Sequence, residues 1–134
     1  MTPELGYVSR MRAEPLTGSA LKVSGDDFVL VQWTAEVGDH WIAPLHVHHD
    51  DDEAWYVLKG RLGFRLGDEE FEVGPGSAVL AHRGTPHTYR NAGDIEAEYL
   101  LVMPPRVASL IESIHQPGVD VRGLFKAHAS EILG

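Results

Sequence analysis

Residues 43–60 read APLHVHHDDDEAWYVLKG and hold three histidines and four consecutive carboxylates. The surrounding segment 39–49 has the composition of a strand, in which successive side chains point to opposite faces. His46 and His48 would therefore share one face, whereas His49 would lie on the other. Two imidazoles at this spacing can contact a single ion, so the pair predicts a metal site.

The four carboxylates of this stretch differ in their expected surroundings. Residues 50–52 fall in its most turn-like part, and we expect them to be mainly solvated. Glu53 opens the next strand and shares a face with Trp55 and Val57. If that apolar face is the inner one, Glu53 is buried beside the histidines. A buried carboxylate is costly unless it is paired or bound to metal, which makes Glu53 the carboxylate candidate.

A further ligand candidate lies in residues 82–91, HRGTPHTYRN. His87 follows the turn at Gly84 and can complete a set of three histidines and one carboxylate. Such a set suits Fe, Mn, Co, Ni, Cu or Zn. We expect His82 at the surface or close to the ligands without binding the ion. The other histidines without a partner pattern are expected to be structural or exposed: His40, His115 and His128.

Most of the chain has the periodicity of β-strands. Residues 61–67 and 69–73 alternate between apolar and polar side chains, as half-buried strands do. Lys59-Gly60 and Gly67-Asp68 each separate two such runs by two residues, the spacing of tight hairpins. Short strands at this rhythm predict an all-β antiparallel sandwich or barrel.

The C-terminal part has a helical pattern instead. Apolar residues recur at helical spacing over residues 107–114, and Pro117-Gly118 ends the segment. A second helix is predicted over residues 121–132. The strand expected at residues 28–37 is apolar on both faces and needs a cover, which the tail or a partner subunit would supply. We therefore expect a homodimer.

Composition narrows the class of protein. The chain has 134 residues, a formal net charge of −9 and no cysteine, which predicts one domain, argues against nucleic-acid binding and excludes thiolate sites. No apolar run reaches the roughly 18 residues of a membrane span. The N-terminal residues lack the apolar core of a signal peptide, so we expect a cytoplasmic protein without membrane contact.

These residues resemble the two motifs of the cupin superfamily. The first, G-x5-H-x-H-x3/4-E-x6-G, matches within residues 38–60, although Gly38 lies two residues too early. The second, G-x5-P-x-G-x2-H-x3-N, matches residues 76–91, with His82 where proline is usual. The resemblance implies a single antiparallel cupin barrel (double-stranded β-helix or jelly roll) over residues 1–104. Residues 105–134 would then be a short helical tail packed on that barrel.

The resemblance also implies a function. By analogy with the family, one divalent metal ion is bound by His46, His48, Glu53 and His87. A single cupin with a helical tail ending in HASEILG resembles the quercetin dioxygenase-like branch, in which Glu53 would also be the catalytic base. The substrate would be a small hydroxylated or enolisable aromatic or carbonyl compound. The alternatives are a metal-dependent isomerase or cyclase and a small-molecule-binding protein without turnover. Aromatic residues are the candidates for the pocket wall: Trp33, Trp41, Trp55, Phe64 and Tyr89.

Overall fold

The computed structural model describes residues 22–38 and 40–134, which form two antiparallel sheets and two short helices. In chain order the elements are β1 (Lys22–Ser24), β2 (Val29–Ala35), β3 (His46–His48), β4 (Glu53–Lys59), β5 (Leu62–Leu66), β6 (Glu69–Val73), β7 (Ala78–Ala81), β8 (His87–Asn91), β9 (Ala97–Met103), α1 (Pro105–Ile114), α2 (Val121–Ala127) and β10 (Ser130–Ile132). One sheet has the order β1-β2-β9-β4-β7 and the other β10-β3-β8-β5-β6. The mostly β class is confirmed. The closed barrel is wrong for the described residues, because no hydrogen-bonded ladder joins the two sheets.

The hydrophobic core lies between the two sheets, and the alternation along the strands places it there. On β4, Trp55 and Val57 are buried, whereas Tyr56 on the opposite face is 42% exposed. Phe64 of β5 meets Trp55 from the other sheet, with their ring centroids 5.1 Å apart. The expected faces of β5 are confirmed, since its apolar residues Leu62 and Phe64 are almost completely buried.

The two predicted hairpins have different outcomes. Gly67-Asp68 joins β5 to β6, whose register pairs Leu66 with Glu69, so this hairpin is confirmed. The hairpin at Lys59-Gly60 is wrong, because β4 and β5 belong to different sheets. Gly60 has a φ of 79°, and a Cβ atom there would lie 2.9 Å from the Cα of Ala97. The chain crosses between the sheets at this close approach, which only glycine permits.

The strand expected over residues 39–49 is much shorter in the structure. Only His46–His48 form a strand, and Asp39 lies outside the described residues. Pro44 has no backbone N–H for a ladder, and its carbonyl oxygen accepts a hydrogen bond from Nδ1 of His46 at 2.7 Å. The alternation of His46 and His48 is nevertheless kept, since both side chains are buried and His49 is 51% exposed.

The C-terminal tail contains a helix pair and one more strand. Helix α1 is confirmed, and it begins at Pro105, where the missing N–H of proline is harmless. The second predicted helix is wrong beyond Ala127, because Ser130–Ile132 form β10 and pair with β3. Ala129 takes a positive φ of 54°, which breaks the helix and lets the chain enter the sheet.

Other predictions are only partly addressed by the fold. Within residues 22–38 and 40–134, no helix is long and apolar enough to cross a membrane. The outer face of the first sheet exposes apolar side chains, among them Tyr56, Leu58 and Leu80. The homodimer, the cytoplasmic location and the division of the chain at residue 104 stay predictions.

Candidate metal centre and adjoining cavity

Four of the predicted site residues converge between the sheets. Their candidate ligand atoms all lie within 4.8 Å of one another, and the side chains are almost completely buried. They come from three strands: His46 and His48 from β3, Glu53 from β4 and His87 from β8. The strands β3 and β8 belong to one sheet and β4 belongs to the other. The four side chains therefore approach a common centre from both sheets.

Strand pairing and one turn place the histidines. His46 and His87 are cross-strand partners in the β3–β8 ladder, which brings their side chains together. The N–H of Gly84 donates to the carbonyl of His48 at 2.8 Å, so the turn before β8 is attached to β3. Asn91, the last residue of the second motif, binds backbone groups at the end of β2 and in the loop after β8 instead of the cluster.

Each histidine ring is held through its Nδ1 atom. His46 Nδ1 donates to the carbonyl of Pro44 at 2.7 Å, and His87 Nδ1 donates to the carbonyl of Thr85 at 2.9 Å. His48 Nδ1 lies 2.7 Å from Oγ of Ser130, whose own hydroxyl donates to the carbonyl of His128. All three Nδ1 atoms therefore carry hydrogen, so in the neutral rings Nε2 offers its lone pair, as metal-binding histidines do.

The electrostatics of the cluster favour a cation at its centre. Oε1 of Glu53 lies 3.3 Å from Nε2 of His48 and 3.1 Å from Nε2 of His87. A carboxylate oxygen and an imidazole lone pair repel unless a proton or a metal ion lies between them. The donor set of nitrogen and oxygen atoms therefore fits a first-row divalent ion.

Protonation states are consistent with this reading. Burial, together with the neighbouring His87, lowers the pKa of His46 to about 4, so this ring is neutral at neutral pH. Burial also raises the pKa of Glu53, but hydrogen bonds from His48 and His87 outweigh burial and lower it to about 2 when Nε2 of these rings carries a proton in place of a metal ion. Glu53 is therefore ionised, as a metal-binding carboxylate must be.

A cavity of about 330 Å³ opens onto His46, His48 and Glu53. Trp33, Trp55 and Tyr89 line it as expected. Two of the expected wall residues do not line it. Trp41 lies on an adjoining groove that shares Ile42, Ala43 and Pro44 with the cavity, and Phe64 packs in the core behind Trp55 and Tyr89.

Helices and one further strand supply wall residues that the sequence did not reveal. Phe125 of α2 packs edge-on against His46, with ring centroids 5.6 Å apart, and α1 adds apolar side chains such as Leu110 and Ile111. Tyr99 of β9 places its hydroxyl 2.7 Å from that of Tyr89. Burial raises the pKa of Tyr99 to about 12 and that of Tyr89 well above its usual value.

The acidic run before Glu53 is less solvated than expected. Asp51 is 7% exposed and accepts two hydrogen bonds from Arg106 at 2.7 and 3.1 Å, which raises the pKa of that guanidinium. The expectation of a solvated side chain is therefore wrong for Asp51. This ion pair attaches the start of α1 to the loop between β3 and β4, the strands that carry three of the four candidate ligands. Asp52 pairs with Arg83 at the surface, and the hydrogen bonds from Arg83 lower the pKa of Asp52.

The remaining histidines lie apart from the cluster. His49 points outward and lies 3.5 Å from Glu131. His82 is exposed, and its carbonyl accepts the N–H of Thr85 in the turn before β8. His115 is exposed at the cavity rim, and His128 is half-buried with Nδ1 on the carbonyl of Leu124.

The Ser130→Ala variant should weaken metal binding about 10–100-fold, the usual effect of removing the partner of a metal-binding histidine. His48 would lose the acceptor that holds its Nδ1–H, and its ring could turn. Ser109→Ala is the matched control, since Ser109 is exposed in the same tail. Metal titration by calorimetry measures both variants; equal affinities would show that Ser130 does not support His48.

Two antiparallel sheets that bury three imidazoles and one carboxylate beside a cavity define a β protein whose interior could hold a metal ion. A family profile described as a cupin domain matches residues 33–103, just over half of the 134-residue chain. The chain therefore belongs to the cupin family.

Individual relatives are similar to parts of this chain. A quercetin 2,3-dioxygenase of Bacillus subtilis strain 168 is 34% identical over 94 residues, which cover 70% of this chain and 27% of that protein. Among solved structures, a protein from Thermus thermophilus has a TM-score of 0.56 and 28% identity, covering 73% of this chain and 93% of that one. A sugar phosphate isomerase of the cupin superfamily from Silicibacter pomeroyi has a TM-score of 0.53 and 25% identity, covering 58% and 50%. The chain spans less than half the length of each of three curated relatives, with matches that cover 49%, 27% and 16% of their residues.

Proposed function

We propose that His46, His48, Glu53 and His87 bind one divalent transition metal ion, with Fe, Mn, Ni, Co, Cu and Zn as candidates. The support is the geometry of the donor atoms, which lie within 4.8 Å of one another, and the Nδ1 contacts that turn the lone pairs of Nε2 inward. Four protein ligands leave room for a substrate atom on a five- or six-coordinate ion.

We further propose that the protein is a metal-dependent dioxygenase acting on a small hydroxylated or enolisable aromatic or carbonyl compound. The observation that carries this proposal is the mainly apolar, aromatic cavity beside the four residues. Such a wall suits a flat ring compound, and the volume of about 330 Å³ lies at the lower end of usual ligand sites. Similarity to the quercetin 2,3-dioxygenase supports the reaction type.

The proposed roles follow from the surroundings of each group. A bound divalent ion would supply Lewis-acid and redox chemistry. Glu53 is ionised and faces the cavity, so a carboxylate oxygen can accept the proton of a substrate hydroxyl and act as the general base. Phe125 and the apolar side chains of α1 exclude water from that proton transfer.

Oxygen uptake tests this proposal. Iron-, manganese- and nickel-loaded protein should consume oxygen with members of a panel of flavonols and diketones. Glu53→Gln should reduce the rate about 100-fold or more, the usual contribution of a general base. Glu131→Gln, an exposed carboxylate at 54% exposure, is the control. Metal content measured in each variant separates loss of the ion from loss of the base, and undiminished uptake by metal-replete Glu53→Gln would refute the role of Glu53.

A metal-dependent isomerase or cyclase is the second candidate, favoured by the similarity to the solved sugar phosphate isomerase. A phosphate group is usually bound by Arg or Lys. Among the described residues that line the cavity there is no Arg or Lys. The cavity therefore fits an uncharged substrate better than a sugar phosphate. Conversion of substrate without oxygen uptake would favour this candidate, and binding without conversion would favour a small-molecule-binding protein.

A further inference from the structure

The cavity contains a buried hydrogen-bond donor that has no acceptor. Trp55 is 2% exposed and lines the cavity, and its indole Nε1–H finds no partner in the described part of the chain. The indole is near enough to Tyr89 to oppose the rise in the pKa of that phenol, yet no hydrogen bond of ordinary geometry joins them. Buried donors in native proteins are almost always paired, and an unpaired one destabilises the fold. An unpaired donor beside a candidate active site therefore indicates an acceptor that arrives with a ligand.

The tyrosine pair supplies a second donor. The hydroxyl oxygens of Tyr89 and Tyr99 lie 2.7 Å apart, and both side chains are buried. Two hydroxyls carry two hydrogen atoms, and their mutual hydrogen bond uses one of them. Neither hydroxyl donates to any other described group, and the indole of Trp55 can only donate toward Tyr89, so one O–H remains to donate. Both tyrosines line the same cavity as Trp55.

These donors lie to one side of the candidate metal ligands in the cavity. Trp55 follows Glu53 by two residues on β4, and Tyr89 follows His87 by two residues on β8. Residues two apart on a strand share a face and are separated by about 7 Å. The rings of Trp55 and Tyr89 have centroids 5.5 Å apart, so both residues lie on the same side of the ligand cluster.

We propose that Trp55, Tyr89 and Tyr99 form a carbonyl-binding subsite, which selects ring compounds with a carbonyl oxygen at the end opposite the metal-facing hydroxyl. This inference rests on the proposed function, because it places the substrate hydroxyl at the ligand cluster. The acceptor is neutral, since a carboxylate would be buried beside no Arg or Lys of the described lining. An apolar wall with two spare donors matches a ketone.

Calorimetric binding of two matched probes tests the subsite. The probes are para-hydroxyacetophenone and para-ethylphenol, which differ only in carrying a carbonyl or a methylene group. The double variant Tyr89→Phe/Tyr99→Phe leaves no O–H in the pair, whereas either single variant still leaves one. It should weaken binding of the ketone roughly three- to ten-fold, the range for a neutral hydrogen bond, and should change binding of para-ethylphenol less than about two-fold. Tyr56→Phe is the control, because it removes the same hydroxyl from an exposed side chain on β4.

Equal weakening of the binding of both probes by the double variant Tyr89→Phe/Tyr99→Phe, or no weakening of either, would overturn the subsite. The second result is expected if buried water alone satisfies these donors. Failure of para-hydroxyacetophenone to bind the unmodified protein would also contradict it. The measurement involves no oxygen uptake. Selectively weaker binding of the ketone, together with no oxygen uptake in the separate assay, would therefore contradict the dioxygenase proposal alone. Oxygen uptake without selectively weaker binding of the ketone would contradict only the subsite.

Discussion

The purified His48→Ala variant is expected to contain only a small fraction of the metal that the unmodified protein contains. Removing a supporting partner alone weakens binding about 10–100-fold, and removing the ligand itself should weaken it further. His48 is buried and its Nε2 lies 3.3 Å from Oε1 of Glu53. Metal content by mass spectrometry and calorimetric titration measures the loss.

His49→Ala is the matched control, one residue along the chain. His49 is 51% exposed and points to Glu131 on the outer side of β3, so this variant should keep its metal and its affinity. The comparison removes the same chemical group from opposite faces of one strand. Equal losses in the two variants would refute the ligand assignment, and circular dichroism of both checks that the fold is retained.

The Phe64→Ala variant is expected to be about 3–5 kcal/mol less stable toward unfolding, the usual range for removing a buried phenylalanine. Phe64 is 1% exposed, contacts Trp55 across the core and stacks on Tyr89 of the neighbouring strand β8. Since these two side chains form the cavity wall, the loss of packing should also loosen that wall. Urea denaturation followed by far-ultraviolet circular dichroism measures the change as a lower midpoint.

Phe28→Ala provides the comparison for that measurement. Phe28 is 58% exposed, so its removal takes little apolar surface out of the core. The urea midpoint of Phe28→Ala should stay close to that of the unmodified protein. Its free energy of unfolding should change by no more than about 0.5 kcal/mol. A Phe64→Ala midpoint as high as that of Phe28→Ala would contradict the placement of Phe64 between the sheets.

Local periodicity accounts for the parts of the site that were predicted correctly. Alternation along a strand separated His48 from His49, and the apolar face shared with Trp55 predicted that Glu53 is buried. These predictions succeed because the direction of a side chain on a strand depends mainly on its own position in the pleat. The position of His87 just after the turn at Gly84 likewise predicted that its side chain joins the ligand set.

Pairing between distant segments accounts for what was missed. Two residues between apolar runs predicted a hairpin at Lys59-Gly60, but β4 pairs with the distant strands β9 and β7 instead of β5. Asp51 is buried only because Arg106 of α1 meets it. The helical spacing near the C-terminus suggested a helix where Ser130 instead pairs with β3 and holds His48.

The amino-acid sequence by itself determined the mostly β class, the faces of the strands and the four candidate ligands, because these depend on periodicity and short spacings. The tertiary structure alone decided how the strands divide into two sheets and which aromatic residues meet in the cavity. It also decided that Ser130 supports His48 and that Tyr89 meets Tyr99. Such contacts join residues far apart in the chain, and their energy depends on packing and burial, which no local pattern records.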